Sequence, residues 1–187
     1  MVARYDLPRA AAGPLRLVQL LVNSTDREHG REWMPSPDSL TAWLGAQGLA
    51  VDRKPTAGDL EHAHTLREAF RSLLRANNGG TVDPQAVSAV NKAARRGGLE
   101  LALDDLGAIG VTVSGTGVDA ALARVVAVAF EAMLDGSWSR LKACRQCTWV
   151  FWDTSKNRSG SWCSMQLCGN RTKTRAYRRR KSAGGRS

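Results

Sequence analysis

The four cysteines of this 187-residue chain lie near its C-terminal end in two close pairs. Two residues separate Cys144 from Cys147, four separate Cys163 from Cys168, and fifteen lie between the pairs. Two such pairs, joined by a loop that can form a hairpin, can place four thiolates tetrahedrally around one zinc ion. Four thiolates leave no position for a reactive water, so the pattern predicts one structural Zn²⁺ rather than a catalytic metal.

The first cysteine pair also fits two other kinds of chemistry. The run Cys144-Arg145-Gln146-Cys147 resembles a dithiol redox motif, in which a neighbouring arginine can lower a thiol pKa. Two disulfides are the other alternative, although a reducing compartment favours a metal. Zinc is the preferred hypothesis because an arginine-rich segment with few aliphatic residues lacks a core of its own. A structural zinc can supply roughly 10 to 16 kcal/mol to such a segment.

The positive charge of the chain is concentrated in the same region. The net charge is +10. Residues 138–187 hold thirteen basic side chains and one acidic one, which leaves 14 basic and 16 acidic side chains in the rest. This asymmetry predicts two parts, a globular body over residues 1–137 and a cationic zinc finger over residues 138–187 that binds a polyanion.

The pattern of apolar residues in the body predicts an α+β fold that is rich in helices. Helical spacing and end signals predict five helices, and two alternating runs at 99–103 and 109–113 predict a small antiparallel β-hairpin with one apolar face. The longest helix should begin after Thr56, and the nearly all-apolar segment Val118 to Leu134 should form the central buried helix. The predicted helices span residues 15–23, 36–48, 56–78, 83–97 and 118–134.

The finger should combine a hairpin with a basic helix. Residues 148–152 and 159–162 predict the two sides of the hairpin, and the chain should become helical between Ser164 and Lys181, which gives a treble-clef-like or zinc-ribbon-like finger. Helical spacing places Arg171, Arg175 and Arg178 on one face, where they can contact phosphates. The candidate nucleic-acid contacts are Arg171, Lys173, Arg175, Arg178, Arg179, Arg180 and Lys181.

Alternative roles stay open for several finger residues. The basic helix can be a solvated surface helix, and Arg171 and Lys173 can offset the formal charge of −2 on a zinc ion bound by four thiolates. We expect Gly169 to allow close backbone approach and Asn170 to support the site by amide hydrogen bonds. The aromatic side chains of the finger can either cover the zinc site or stack on unpaired bases. These are Trp149, Phe151, Trp152 and Trp162.

Two stretches of the chain resemble known bacterial families. The run Cys144-x-x-Cys147 with Ser164-Met165-x-x-Cys168-Gly169-Asn170-Arg171-x-Lys173-x-Arg175 resembles the CGNR zinc finger. The runs Leu20-Leu21-Val22-Asn23-Ser24 and Ser36-Pro37-x-x-Leu40-x-x-Trp43-Leu44 are similar to the start of the ABATE domain of stress-induced transcription regulators. The resemblance implies nucleic-acid binding and transcription regulation, with DNA favoured over RNA. An RNA-binding zinc ribbon is the alternative.

Other function classes find little support in the sequence. No apolar run approaches the roughly 18 to 20 residues of a membrane span, and the N-terminal residues lack the apolar region of a signal peptide, so we expect a cytoplasmic protein. His62 and His64 should lie on the surface and point in opposite directions. No phosphate-binding or dinucleotide motif is present, and we expect no enzymatic activity. The body can form a homodimer or bind a small molecule as a sensor. As a further alternative, the zinc-loaded protein can be an adaptor that binds an acidic protein.

Overall fold

The computed structural model describes residues 9–49, 51–103 and 105–184, and within these ranges the body is built mainly of helices. Its helices are α1 Leu15–Val22, α2 Pro37–Ala46, α3 Ala57–Ala76, α4 Pro84–Arg96 and α5 Gly117–Leu134. Two antiparallel hairpins belong to the body, β1 Thr25–Asp26 with β2 Arg31–Glu32, and β3 Leu99–Leu103 with β4 Ile109–Val113. The finger contains β5 Leu141–Ala143, β6 Val150–Trp152, a π-helical turn Met165–Gly169 and helix α6 Asn170–Gly184.

Three helices of the body begin at the capping residues from which the sequence predicted them to start. Ser36 and Thr56 each cap a helix through a reciprocal capping box, and Asp83 accepts a hydrogen bond from the backbone N–H of Gln85 at 2.9 Å. These side chains satisfy backbone N–H groups that have no partner within the helix. Helix α3 is the longest of the body, with 20 residues, as predicted.

Helix α5 is the centre of the body, also as predicted. Nine of its residues are buried, among them Val118, Leu122 and Val125, and they pack with apolar residues of α1, α3 and α4 in one core cluster. Helix α1 meets this core with Leu15, Val18, Leu21 and Val22. Leu17 and Leu20 of α1 are only partly buried, and Leu17 packs against this core.

The two hairpins of the body differ from expectation in part. The register of β3 and β4 pairs Leu99 with Val113 and Leu103 with Ile109, which confirms the predicted hairpin. The outer half of its apolar face is exposed, since Leu101 and Leu103 are each 69% accessible. The polar stretch after α1 contains the short strands β1 and β2.

The finger strands pack directly against the body. Leu141, Ala143 and Val150 belong to the same core cluster as the body helices. The Asn78 side-chain amide, at the end of α3, donates to the carbonyls of Ala143 at 2.8 Å and Ser161 at 3.0 Å. Body and finger thus share one core. The boundary between a body domain and a finger domain at residues 137 and 138 stays a prediction. Within the described ranges, no helix has both the length and the apolarity to cross a membrane.

Candidate metal centre

The four cysteine sulfurs converge on one point in the finger. All four Sγ atoms lie within 4.8 Å of one another, and the Cys147–Cys163 and Cys163–Cys168 Sγ–Sγ distances are both 3.6 Å. A tetrahedral zinc site with Zn–S bonds of about 2.3 Å needs sulfurs about 3.8 Å apart. Each of the four residues is buried, so the donor set and its spacing fit one closed-shell Zn²⁺. When bound, the ion crosslinks the two cysteine pairs.

The first pair lies in a tight turn between the two finger strands. The Thr148 backbone N–H donates to the Cys144 carbonyl at 2.9 Å, and the Cys144 N–H donates to the Trp149 carbonyl at 2.9 Å. Thr148 has a φ of 62°, which is unusual for a β-branched residue. The turn therefore closes β5 against β6. The predicted pairing of residues 148–152 with 159–162 was wrong, because 150–152 pairs instead with the segment that precedes the first cysteine.

The second pair is positioned by the start of the basic helix. The Ser164 hydroxyl accepts a hydrogen bond from Leu167 N–H at 3.3 Å, and the Ser164 carbonyl accepts from the Cys168 and Gly169 N–H groups. This opens the π-helical turn that carries Cys168, and α6 continues from it. The Thr172 hydroxyl donates to the Cys168 carbonyl at 2.9 Å. Helix α6 is thus anchored directly at a metal ligand.

Aromatic side chains cover the centre. Trp149 and Phe151 are buried and form one cluster with the four cysteines, and Trp162 packs against it. The guanidinium carbon of Arg9 lies 5.4 Å from the Phe151 ring centroid. Burial of Trp149 and Phe151 favours the covering role over stacking on bases for these two residues.

The geometry also bears on the two other cysteine hypotheses. The cysteines are free, with sulfurs too far apart for a disulfide. A redox thiol is usually partly accessible, whereas Cys144 is fully buried. Arg145, which was a candidate for lowering a thiol pKa, donates its Nε–H to the carbonyl of Asn78 at 2.8 Å, at the C-terminal end of α3. This hydrogen bond joins the finger to the body and gives Arg145 a structural role. The free, buried cysteines and the role of Arg145 together favour the zinc hypothesis.

The basic residues of α6 fall into two groups. Arg171 forms an ion pair with Glu28 of the body, and its Nε–H donates to the Leu167 carbonyl at 2.9 Å. The others whose side chains are described are exposed and form no ion pair within the described residues. These are Lys173, Arg175, Arg178 and Lys181. Arg179 and Arg180 belong to α6, but their side chains lie outside what the structure describes.

Gly169 and Asn170 were predicted to support the finger. A Cβ atom at Gly169 would lie 2.7 Å from Sδ of Met165, so this buried position is closely packed. Asn170 is exposed, and its amide makes no hydrogen bond to another described residue. The supporting roles of both residues stay predictions.

Neither helical histidine is part of the metal centre. His62 Nδ1 lies 2.9 Å from an Asp119 carboxylate oxygen, and His64 Nε2 lies 2.9 Å from the Met34 carbonyl oxygen, so the two rings have separate partners. The surface prediction for His62 was wrong, because its side chain is only 9% exposed. Its burial and the positive charge of Arg96 lower its pKa, although Asp119 acts in the opposite direction.

The comparison with protein families agrees with this geometry. The ABATE model, described as "Putative stress-induced transcription regulator", matches residues 15–137. The chain belongs to the ABATE family. The CGNR zinc finger model matches residues 140–181 of this ABATE-family protein, a range that includes all four cysteines. The protein therefore has one structural zinc site. No curated protein matches the chain.

The side chains that join the finger to the ABATE body belong to no chemical motif in the sequence. Asn23 accepts the Val150 N–H on Oδ1 at 2.8 Å and donates its amide to the Val150 carbonyl at 2.9 Å. Buried Arg71 donates to the carbonyls of Val22 and Thr148. In the sequence, Asn23 is distinguished only by the family resemblance. Arg71 lies within a predicted helix, and no local pattern indicates its distant partners.

Replacing Asn23 with alanine should lower the free energy of unfolding by about 1 to 3 kcal/mol. The substitution leaves the Val150 N–H buried without a partner, at a cost of about 1 to 3 kcal/mol, whereas the Val150 carbonyl keeps the hydrogen bond from the Gln19 amide. Guanidinium unfolding of the zinc-loaded protein, followed by circular dichroism, measures the effect. Asn91→Ala, an exposed position on α4, is the control and should change the stability by less than about 0.5 kcal/mol. Equal effects of the two substitutions would contradict the role assigned to Asn23.

Proposed function

We propose that this ABATE-family protein is a transcription regulator that binds nucleic acid, DNA in preference to RNA, through helix α6. The observation that carries the proposal is the exposed cationic surface of α6, formed by Lys173, Arg175, Arg178 and Lys181, with no ion pair within the described residues. Solvated helices usually balance their charges, whereas the whole segment from Ser164 to Ser187 contains no acidic residue. A surface that is uniformly positive favours a polyphosphate partner.

The metal centre supports this proposal by fixing the helix in place. Helix α6 begins two residues after Cys168, so a zinc-bound turn sets its direction and reduces the ordering cost on binding. A rigid helix with a basic face can lie in a major groove and contact the phosphates on either side. The family description as a transcription regulator favours DNA.

The ion pair of Arg171 changes its proposed role. Because Arg171 pairs with Glu28, its charge is already compensated and it is held against the β1–β2 hairpin. We assign it to the orientation of α6 relative to the body. We leave the phosphate contacts to Lys173, Arg175, Arg178 and Lys181, which form no ion pair with any residue that the structure describes. Arg179 and Arg180 stay candidates on the basis of sequence.

Binding should depend strongly on salt. If about four to six phosphates are neutralised, log K should fall with log[salt] at a slope of roughly −3.5 to −5.5. The double substitution Arg175→Gln/Arg178→Gln should make this slope shallower by about 1.8, because each phosphate contact contributes about 0.9. Fluorescence anisotropy with random-sequence duplex DNA at several salt concentrations measures both quantities.

A charge-matched variant separates local contacts from net charge. Lys92→Gln/Arg95→Gln removes two exposed positive charges from α4 and should leave the slope almost unchanged. A slope near zero for the zinc-loaded wild type would overturn nucleic-acid binding altogether. The same titration with single-stranded and duplex RNA tests the preference, and tighter binding to RNA would overturn the assignment to DNA.

A further inference from the structure

A cavity of about 370 Å³ lies where the body meets the finger. Gln19 and Leu20 of helix α1 line it, together with Asn23, which follows that helix, and with Val150 and Phe151 of strand β6. Its volume falls in the range of small-molecule sites, about 300 to 1,000 Å³. The cavity is distinct from the exposed surface of α6, since none of the α6 residues with a described side chain lines it.

Four aromatic side chains line this cavity. Trp33, Trp43 and Trp149 line it together with Phe151 and Leu20. Trp33 is 37% exposed, so the cavity reaches the protein surface on that side. Flat aromatic walls favour a planar apolar ligand, because stacked or edge-on ring contacts add to the free energy of burial.

The two side-chain amides that line the cavity, those of Gln19 and Asn23, already hydrogen-bond within the protein. Gln19 accepts from the Ala11 N–H at 2.8 Å and donates to the Val150 carbonyl at 3.1 Å. Asn23 binds both backbone groups of Val150. These amides therefore hold the walls in place and leave ligand recognition to other groups.

The charged groups of the cavity are two arginines. Arg16 donates to Oε1 of Gln19 at 2.6 Å, and Arg9 donates to the Trp162 carbonyl at 2.9 Å. Both acceptors are neutral, neither arginine has a carboxylate partner among the described residues, and no acidic residue is among the described cavity walls. Each guanidinium retains further N–H donors in a fork that matches a carboxylate.

We propose that this cavity binds a small aromatic carboxylate, with its ring among the tryptophans and its carboxylate on Arg9 and Arg16. The ligand contacts α1 of the body and β6 of the finger, and it lies against Cys163, one of the zinc ligands. The described lining residues and both arginines belong to the protein, so the ligand can bind without nucleic acid.

The test is a titration of the full-length, zinc-loaded protein with 1-naphthoate, followed by calorimetry. Saturable one-to-one binding is expected, and 1-naphthamide, which has the same ring but no charge, should bind at least tenfold more weakly. No binding of 1-naphthoate at millimolar concentration would overturn the proposal. Equal binding of the amide would also overturn it, because the arginines would then contribute nothing.

Two substitutions locate the site. Arg16→Gln should weaken 1-naphthoate binding at least tenfold, and Leu20→Trp should abolish it by filling the cavity while the zinc content stays at one per chain. Arg95→Gln, on the exposed side of α4, should leave the affinity unchanged. Unchanged affinity in both Arg16→Gln and Leu20→Trp would place any binding elsewhere.

A competition experiment tests the class of ligand. Displacement of 1-naphthoate by adenosine monophosphate at lower concentration would instead assign the cavity to a nucleotide and overturn the carboxylate proposal.

Discussion

Cys147→Ser should abolish stoichiometric zinc binding and unfold the finger. A structural zinc contributes roughly 10 to 16 kcal/mol of apparent binding free energy, far more than the small cluster of four cysteines and three aromatic side chains can replace. The loss should extend into the body, because Leu141, Ala143 and Val150 contribute to its core. Metal analysis gives the zinc content, and thermal unfolding followed by circular dichroism shows how far the loss extends.

The control lies within the same turn. Gln146→Ser places a hydroxyl between the two cysteines at a position that is not a ligand, and the variant should keep one zinc per chain. If Cys147→Ser retains zinc with the affinity of the wild type, the four-thiolate site is wrong. If it loses zinc while the melting temperature of the body is unchanged, the shared core between body and finger is wrong.

The helix positions could be predicted because their signals are local. Ser36, Thr56 and Asp83 each have a side chain that can accept from a backbone N–H two or three residues later, and this depends on no distant contact. The cysteine spacing is equally local, since each pair needs only a short turn to bring two sulfurs to one ion. The fold class and the metal site could therefore be predicted from these local features of the sequence.

The contacts between body and finger could not be predicted in the same way. Asn23 and Val150 are separated by 127 positions, and an asparagine after an apolar run is equally typical of an exposed helix end. Similarly, His62 was expected on the surface because its partner Asp119 lies on another helix. Tertiary burial overrides the local preference of a polar residue wherever a distant group satisfies its hydrogen bonds.

The finger hairpin shows a related limit. Strands β5 and β6 have three residues each, too short for an alternating pattern to identify the partner strand. The segment after β6 does not form the predicted second side of the hairpin; its residues surround the Asp153 carboxylate, which accepts from the N–H groups of Ser155 and Gly160. That loop is organised by a buried charge.

The second large effect concerns this buried charge and its partner. Lys142 and Asp153 are 4% and 1% exposed, and Nζ lies 2.8 Å from the carboxylate oxygen. The ammonium also donates to the carbonyls of Arg158 and Gly160. Burial alone would raise the pKa of Asp153, but the hydrogen bonds from Lys142, Ser155 and Gly160 outweigh it and lower the pKa to about 2, so the carboxyl is ionised at neutral pH.

Lys142→Met should therefore destabilise the protein by about 3 to 5 kcal/mol at pH 7, because it leaves an ionised carboxylate buried without its counter-charge. Lys156→Met, an exposed lysine of the same loop, is the matched control and should change the stability by less than about 0.5 kcal/mol. The double variant Lys142→Met/Asp153→Leu removes both charges and should recover part of the loss. Guanidinium unfolding of the zinc-loaded variants measures all three. If the single and double variants are equally destabilised, the loss comes from packing around the loop and not from the unpaired charge.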